Sequence, residues 1–223
     1  MLINRGLLFA VPTPVTTLKA LWRMGGTAEL YRSAGLSVLR IVIGYAAAVL
    51  VGMACGYIAH RVTVFDRLTA PVLHAIRAVP VASFIVLIFL WFHPAVIPVL
   101  ISFLMVLPIV WLNTQTALKA IDPALTEMAG VMRLPRRQVW RHIVLPAVMP
   151  SLSAALTTGL GFAWKAGVSA EVICRTGHSL GNLLWTEKNA IAYDEVFALT
   201  LVIIVFSMVL ERLLRLLVRR GNA

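Results

Sequence analysis

Long apolar runs are the feature that most limits what this chain can fold into. Residues 41–59 carry no charge, and His93 is the only ionisable residue between Arg77 and Lys119. A helix needs about 20 mostly apolar residues to cross the roughly 30 Å of hydrocarbon in a bilayer. Only 13% of the residues are charged, against about 25% in a soluble domain. The sequence therefore predicts an all-α, polytopic membrane protein and argues against a soluble enzyme.

The apolar runs divide into five predicted membrane spans, because the run around His93 is too long for one crossing and must form a hairpin. Their approximate ranges are 36–59, 71–92, 95–118, 143–170 and 196–218. Together these spans form a predicted transmembrane domain over residues 36–220. Residues 1–35 form a predicted N-terminal interfacial segment, with a short helix near 14–24 that would lie along the membrane surface.

The Lys and Arg residues flank the apolar runs and predict the orientation of the spans. Loops 60–70 and 119–142 and the C-terminal tail are basic and are expected in the cytoplasm, whereas 171–195 has more acidic than basic residues and is expected outside. The net charge of +11 therefore reflects membrane orientation, and no nucleic-acid partner is predicted. Four basic residues on the outer side break the rule and leave an additional, missing or re-entrant N-terminal helix as alternatives. They are Arg5, Lys19, Arg23 and Arg32.

Loop 119–142 carries the most informative local pattern. Asp122 followed by Pro123 predicts a helix start, since Asp caps the first turn and Pro suits the first helical position. Leu134-Pro135 predicts its end, so a helix is expected over 122–135. A short helix held between two spans at the cytoplasmic face can dock a partner protein. An ordinary basic surface loop fits the spacing equally well.

The same loop resembles a motif of a known family. Glu127-Met128-Ala129, followed by Ile143-Val144-Leu145-Pro146, resembles the EAA loop of ATP-binding-cassette (ABC) importer permeases. Further segments resemble the nitrate/sulfonate/taurine-type branch of that family, namely Ser37–Tyr45, Arg77–Pro80, Ala163–Lys165 with Ala170-Glu171, and Ser179–Gly181. The family has a glycine where this chain has Arg133, and Gly130 lies three residues earlier. We therefore expect proline, instead of glycine, to end the helix in this loop.

The resemblance implies a five-helix importer permease core with a cytoplasmic coupling helix, in a bacterial-type inner membrane. The implied partners are an ABC ATPase subunit, a second permease copy in a homodimer, an extracytoplasmic solute-binding protein and membrane lipid. In the family an earlier membrane helix usually precedes the segment resembling Val11–Pro14, so we expect this chain to lack that span. The residues implied in coupling to the ATPase are Glu127, Met128, Ala129, Gly130, Arg133, Leu145 and Pro146.

The chain lacks the G-x-x-x-x-G-K-[ST] pattern that holds nucleotide phosphates, so ATP would be hydrolysed by a partner subunit. Candidate residues for the solute path lie on the second and fourth spans, and they are Pro80, Ser83, Trp164 and Lys165. Lys165 is a cation in an apolar helix and could attract an anionic or carbonyl-bearing solute. It could equally pair with Glu171 or extend to the outer interface.

A membrane-embedded enzyme with an outward-facing site at Lys165, Glu171 or His178 is the alternative function, although no acid, base and nucleophile share a recognisable spacing. An autonomous channel or carrier would leave loop 119–142 unexplained. Cys55 and Cys174 have no metal-binding spacing, and no H-E-x-x-H pattern occurs. We therefore predict no catalytic residue, metal site or cofactor. The small residues Gly44, Ala48, Gly52 and Gly56 are expected to pack within the subunit.

Overall fold

The computed structural model describes residues 12–221, and every regular element in this range is a helix. Four helical segments are long and apolar enough to cross a membrane, and a bent pair gives a fifth if it counts as one span. The predicted all-α, multi-span fold is therefore confirmed. Residues 1–11, with Arg5 and the start of the predicted N-terminal segment, lie outside the described residues. The helices are α1 (Pro14–Gly25), α2 (Ala28–Arg61), α3 (Thr63–Ala78), α4 (Val81–Phe89), α5 (Ile97–Lys119), α6 (Pro123–Val131), α7 (Arg136–Val139), α8 (Leu145–Cys174), α9 (Leu180–Asn189) and α10 (Tyr193–Gly221).

Helices α2, α5 and α8 form the core of the bundle and approach one another closely. A Cβ atom added at Gly44 of α2 would lie 2.2 Å from the carbonyl oxygen of Val99 on α5, and one at Gly56 would lie 2.7 Å from that of Trp111. On α8, a Cβ atom at Gly167 would lie 2.5 Å from the side chain of Ile41. Small residues permit this approach of helix backbones. The predicted packing role of the small residues on α2 is therefore confirmed.

The second predicted span, 71–92, is corrected because it is not one helix. α3 and α4 meet at a bend of 99°. Pro80 causes the break, since its ring disfavours a helical conformation in the preceding residue, and Val79 is extended. α4 has nine residues and is therefore about 13 Å long. It is too short to cross the roughly 30 Å of hydrocarbon alone.

One other predicted boundary is also corrected. The first long helix begins at Ala28 and not near 36, so it includes residues 28–35 of the predicted N-terminal segment. Glu29 stabilises this earlier start, because a carboxylate in the first turn interacts favourably with the helix dipole.

The helix of the predicted fourth span extends back beyond 143, because the helical path is continuous from Arg136 to Cys174 and includes a π-helical turn, Trp140–Val144. Pro146 has no N–H to donate, and the wider turn in front of it lets Leu145 donate to the carbonyl of Trp140.

The predicted short helix near 14–24 is present as α1, which lies against the start of α10. The hydroxyl of Thr16 donates to the carboxylate of Asp194 at 2.9 Å, and Arg23 forms an ion pair with Glu195. Pairing with an acidic partner gives a physical reason why Arg23 is tolerated at the predicted outer end. The exposed apolar side chains of α1 are Val15, Leu18 and Trp22.

Candidate functional site

α6 is a separate surface helix between the end of α5 and the start of α7. The side chain of Asp122 accepts a hydrogen bond from the N–H of Ala124 at 2.9 Å, and Pro123 occupies the first turn. The predicted helix start is therefore confirmed. The helix ends at Val131, which is earlier than the predicted end at 135.

The end of α6 is a Schellman turn. The N–H of Leu134 donates to the carbonyl of Ala129 at 3.0 Å, and the N–H of Arg133 donates to that of Gly130 at 3.1 Å. Arg133 has a φ of +52°, in the left-handed region that favours glycine. The expectation that Pro135 replaces the glycine of the family motif is therefore wrong. Arg133 adopts the glycine-type conformation itself.

We expect Arg133→Gly to stabilise the folded subunit by about 1 kcal/mol, because glycine avoids the clash between Cβ and backbone in a left-handed conformation. Arg212→Gly is the control, since Arg212 is an exposed residue inside α10. This control should lower stability by about 1 kcal/mol through poorer helix propensity. Thermal unfolding of both purified variants measures the difference, and a fall in stability for Arg133→Gly would contradict the prediction.

One side of α6 exposes large apolar side chains. Met128 is 50% exposed and Val131 is 85% exposed. Together with Ala124 and Glu127 they follow the spacing that places side chains on one face of a helix, and all four are exposed. We call Ala124, Glu127, Met128 and Val131 the α6 outer face. Exposed apolar patches of this kind mark protein interaction sites.

The residues predicted to couple the chain to an ATPase do not all lie on this face. Gly130 is exposed on α6, and Leu145 and Pro146 are exposed at the start of α8. Ala129 is only 3% exposed and points into the subunit. A substitution at Ala129 would therefore disturb packing beneath α6 before it changed the docking surface.

Three of the four residues predicted for the solute path are exposed in the subunit. Pro80 and Ser83 are exposed at the start of α4. α4 packs against α8 through a buried cluster that includes Ile85 and Ala166. Lys165 immediately precedes Ala166 and is exposed. α4 and α8 pack together, and each carries an exposed polar side chain, the hydroxyl of Ser83 and the ammonium group of Lys165.

Trp164, the fourth predicted path residue, has a different position. Its side chain is 2% exposed, its indole N–H donates to the carbonyl of Ile203 at 3.1 Å, and its ring stacks on Phe206. Ile203 and Phe206 belong to α10. The predicted path role of Trp164 is therefore corrected, because the side chain packs between α8 and α10.

Sequence reasoning missed the role of Glu171. Its carboxylate is fully buried and accepts hydrogen bonds from the hydroxyl of Ser37 at 2.8 Å and from the N–H of Gly181 at 3.2 Å. Arg40 lies 3.9 Å from the other carboxylate oxygen. The structure therefore pairs Glu171 with Arg40 and not with Lys165, which was one of the alternatives for that lysine.

This network fastens α9 to two long helices at the end of the bundle away from α6. Ser37 also accepts the N–H of Leu180 at 3.0 Å, and Arg40 donates to the carbonyls of Gly177 and His178, both at 3.3 Å. The three segments involved were all part of the family resemblance. Their contact could not be inferred from sequence, because they are separated by more than a hundred residues or by a loop of unknown path.

Comparison with known proteins gives a consistent result. The family described as "Binding-protein-dependent transport system inner membrane component" matches residues 48–222. The chain is 27% identical over 216 residues to the taurine transport system permease protein TauC of Escherichia coli (strain K12), covering 94% of this chain and 78% of TauC. It is 26% identical over 211 residues to the putative aliphatic sulfonates transport permease protein SsuC of Bacillus subtilis (strain 168), covering 94% and 76%.

A solved structure, titled as a crystal structure of an amino acid ABC transporter with histidines, has the same fold. It aligns with a TM-score of 0.69 at 16% identity and covers 90% of this chain and 97% of that chain.

Proposed function

The chain belongs to the family of binding-protein-dependent transport system inner membrane components. We propose that an ABC ATPase docks on the α6 outer face and there couples ATP hydrolysis to transport. The chain is a multi-pass permease subunit of an ABC importer of the bacterial inner membrane, and its resemblance to the nitrate/sulfonate/taurine type is confirmed. An ATPase subunit and a solute-binding protein are the partners that this family implies.

The exposed apolar face of α6 is the observation that carries the proposal. Met128 and Val131 are the centre of that face, and Glu127 stands beside them as the charged group. A buried apolar centre with a polar margin is the usual composition of a protein interface. The Schellman turn at Arg133 and the cap at Asp122 fix both ends of α6. The helix is therefore already formed before a partner binds to this face.

We expect the double variant Met128→Asp/Val131→Asp to weaken capture of the ATPase subunit by at least about tenfold, because truncating or charging a buried interface centre costs about 2 kcal/mol or more. Gln138→Asp is the control, since it adds a charge at an exposed position of the same loop. Co-purification and ATP hydrolysis by the complex measure the effect. Unchanged capture and hydrolysis in the double variant would refute the proposed docking role.

The solute path lies between two copies of the permease. α4 has only nine residues, so it is too short to cover the exposed side of α8 across the whole hydrocarbon layer. Lys165 lies on this exposed side of α8. Among the described residues, Lys165 makes no ion pair. A cation inside a membrane span requires compensation, and a second copy facing this side would enclose it in a polar path with Ser83.

The solute is a small organic anion. TauC and SsuC are named for taurine and aliphatic sulfonates, and both kinds of compound carry a sulfonate group that Lys165 would complement. The permease itself is not an enzyme and takes its energy from the ATPase. Glu171, one of the three candidate residues for an outward-facing enzyme site, is buried and holds α9. Within residues 12–221, no group of His, Cys, Asp and Glu side chains could hold a metal ion.

A further inference from the structure

An open cavity of about 1060 Å³ lies behind α6, between the ends of α2 and α5 and the start of α7. Its ionisable lining comes from the ends of α2 and α5 and from α7, and the groups charged at neutral pH are all positive. The basic lining residues are His60, Arg61, Lys119, Arg136 and Arg137. None of the acidic residues that the structure describes lines the cavity. The α6 outer face points away from the bundle, so the cavity is a separate feature.

The three arginines among these residues lack a counterion. Lys119 pairs with Asp66 at 3.2 Å, whereas Arg61, Arg136 and Arg137 form no ion pair within the described part of the chain. Guanidinium groups bind phosphate oxygens through two parallel hydrogen bonds. A cavity with three unpaired guanidinium groups therefore suits a phosphate-bearing anion better than a neutral ligand.

The rest of the lining suits the membrane surface. Trp140 and Tyr57 face each other with ring centroids 5.8 Å apart, and Arg61 lies over the Tyr57 ring at 5.6 Å. Trp and Tyr concentrate at membrane interfaces, where their rings sit at the level of the lipid headgroups. The apolar part of the wall is formed by Leu118, Ile121, Val139 and Val144. Such a wall can contact an acyl chain while the basic residues contact a headgroup.

We propose that this cavity binds a phosphate group, supplied by an anionic phospholipid of the cytoplasmic leaflet. Basic pockets between membrane helices on the cytoplasmic side bind such headgroups, and the apolar wall favours a lipid over free phosphate. The bound phosphate joins α2, which carries Arg61, to α7, which carries Arg136. It thereby links two parts of the chain that flank α6 and restricts the movement of this helix. This inference goes beyond the proposed ATPase docking and does not require it.

The test is native mass spectrometry of the permease with its ATPase, loaded with equal amounts of phosphatidylglycerol and phosphatidylcholine. We expect the complex to retain at least about five times more phosphatidylglycerol than phosphatidylcholine. In Arg61→Gln/Arg136→Gln this preference should disappear. Arg141→Gln removes one charge from the same loop without touching the cavity and should keep the preference. The single variant Arg61→Gln lies on α2, outside the α6 outer face, so it should leave the complex assembled. It should lower the preference at least about twofold.

Inorganic phosphate and glycerol 1-phosphate, added at millimolar concentration, distinguish the source of the phosphate group. Failure to displace the retained phosphatidylglycerol supports a lipid site, and displacement supports a phosphate site that also accepts free anions. Equal retention of the two lipids by the unmodified complex would overturn the proposal. So would an equal loss of preference in Arg141→Gln and in the double variant, because the effect would then follow loop charge and not the cavity.

Discussion

Gly44→Ala is expected to prevent stable packing of α2 against α5. The added Cβ atom would lie 2.2 Å from the carbonyl oxygen of Val99 and 3.0 Å from the Cβ atom of Ser102. The backbone at Val99 cannot move aside as a flexible side chain can. The helices α2 and α5 must therefore move apart. Overpacking of a core costs about 1–3 kcal/mol, and a clash with backbone lies at or above the top of that range. We expect the yield of folded permease to fall at least about tenfold.

Gly35→Ala is the matched control, because it places the same methyl group on the same helix. Beyond the adjoining backbone of α2 itself, no atom lies within 4 Å of a Cβ atom built at Gly35, and alanine favours a helix by about 1 kcal/mol over glycine. This variant should fold with equal or higher stability. Size-exclusion chromatography and thermal unfolding in detergent measure both proteins. If Gly44→Ala matched Gly35→Ala, α2 and α5 would not be in the close contact described.

Lys165→Met is expected to abolish uptake while leaving the assembled complex and its basal ATP hydrolysis intact. Lys165 is exposed on the side of α8 that we assign to the solute path, and its ammonium group would compensate an anionic solute. Methionine matches the unbranched apolar stem of the lysine side chain but removes its ammonium group. The assay is uptake into proteoliposomes, using the ligand that mass spectrometry identifies in the purified binding protein.

The control for Lys165 is Lys188→Met, which removes an exposed cation from α9 at the outer end. Uptake should be unchanged in this variant. A structural role for Lys165 predicts a different pattern, in which complex yield or thermal stability falls and uptake per folded complex stays normal. That pattern would exclude Lys165 from the solute path.

Much of the fold follows from interactions that are local in the sequence. The apolar runs predict the long helices, because span length depends on hydropathy and bilayer thickness alone. The start of α6 was predictable from Asp122 and Pro123, because a helix cap involves neighbouring residues. The small residues on α2 indicated close packing because their spacing places them on one face of the helix. The sequence did not identify α5 as the partner.

The incorrect predictions depend on geometry between distant segments or on backbone strain. The direction of Trp164 depends on where α10 lies, and the burial of Glu171 depends on Ser37 and on the turn before α9. Arg133 adopts a conformation that its residue type disfavours, so propensity alone predicts the wrong turn. The 99° bend between α3 and α4 required knowing that Pro80 would end a helix and not merely kink it.

Photo-crosslinking from the α6 outer face tests the central claim most directly. A benzoylphenylalanine introduced at Val131 should crosslink to the ATPase subunit in the assembled importer, because Val131 is the most exposed apolar residue of that face. Leu217, an exposed apolar residue near the end of α10, is the matched control and should give no such product. Absence of the ATPase adduct from position 131, or equal adducts from both positions, would contradict the account.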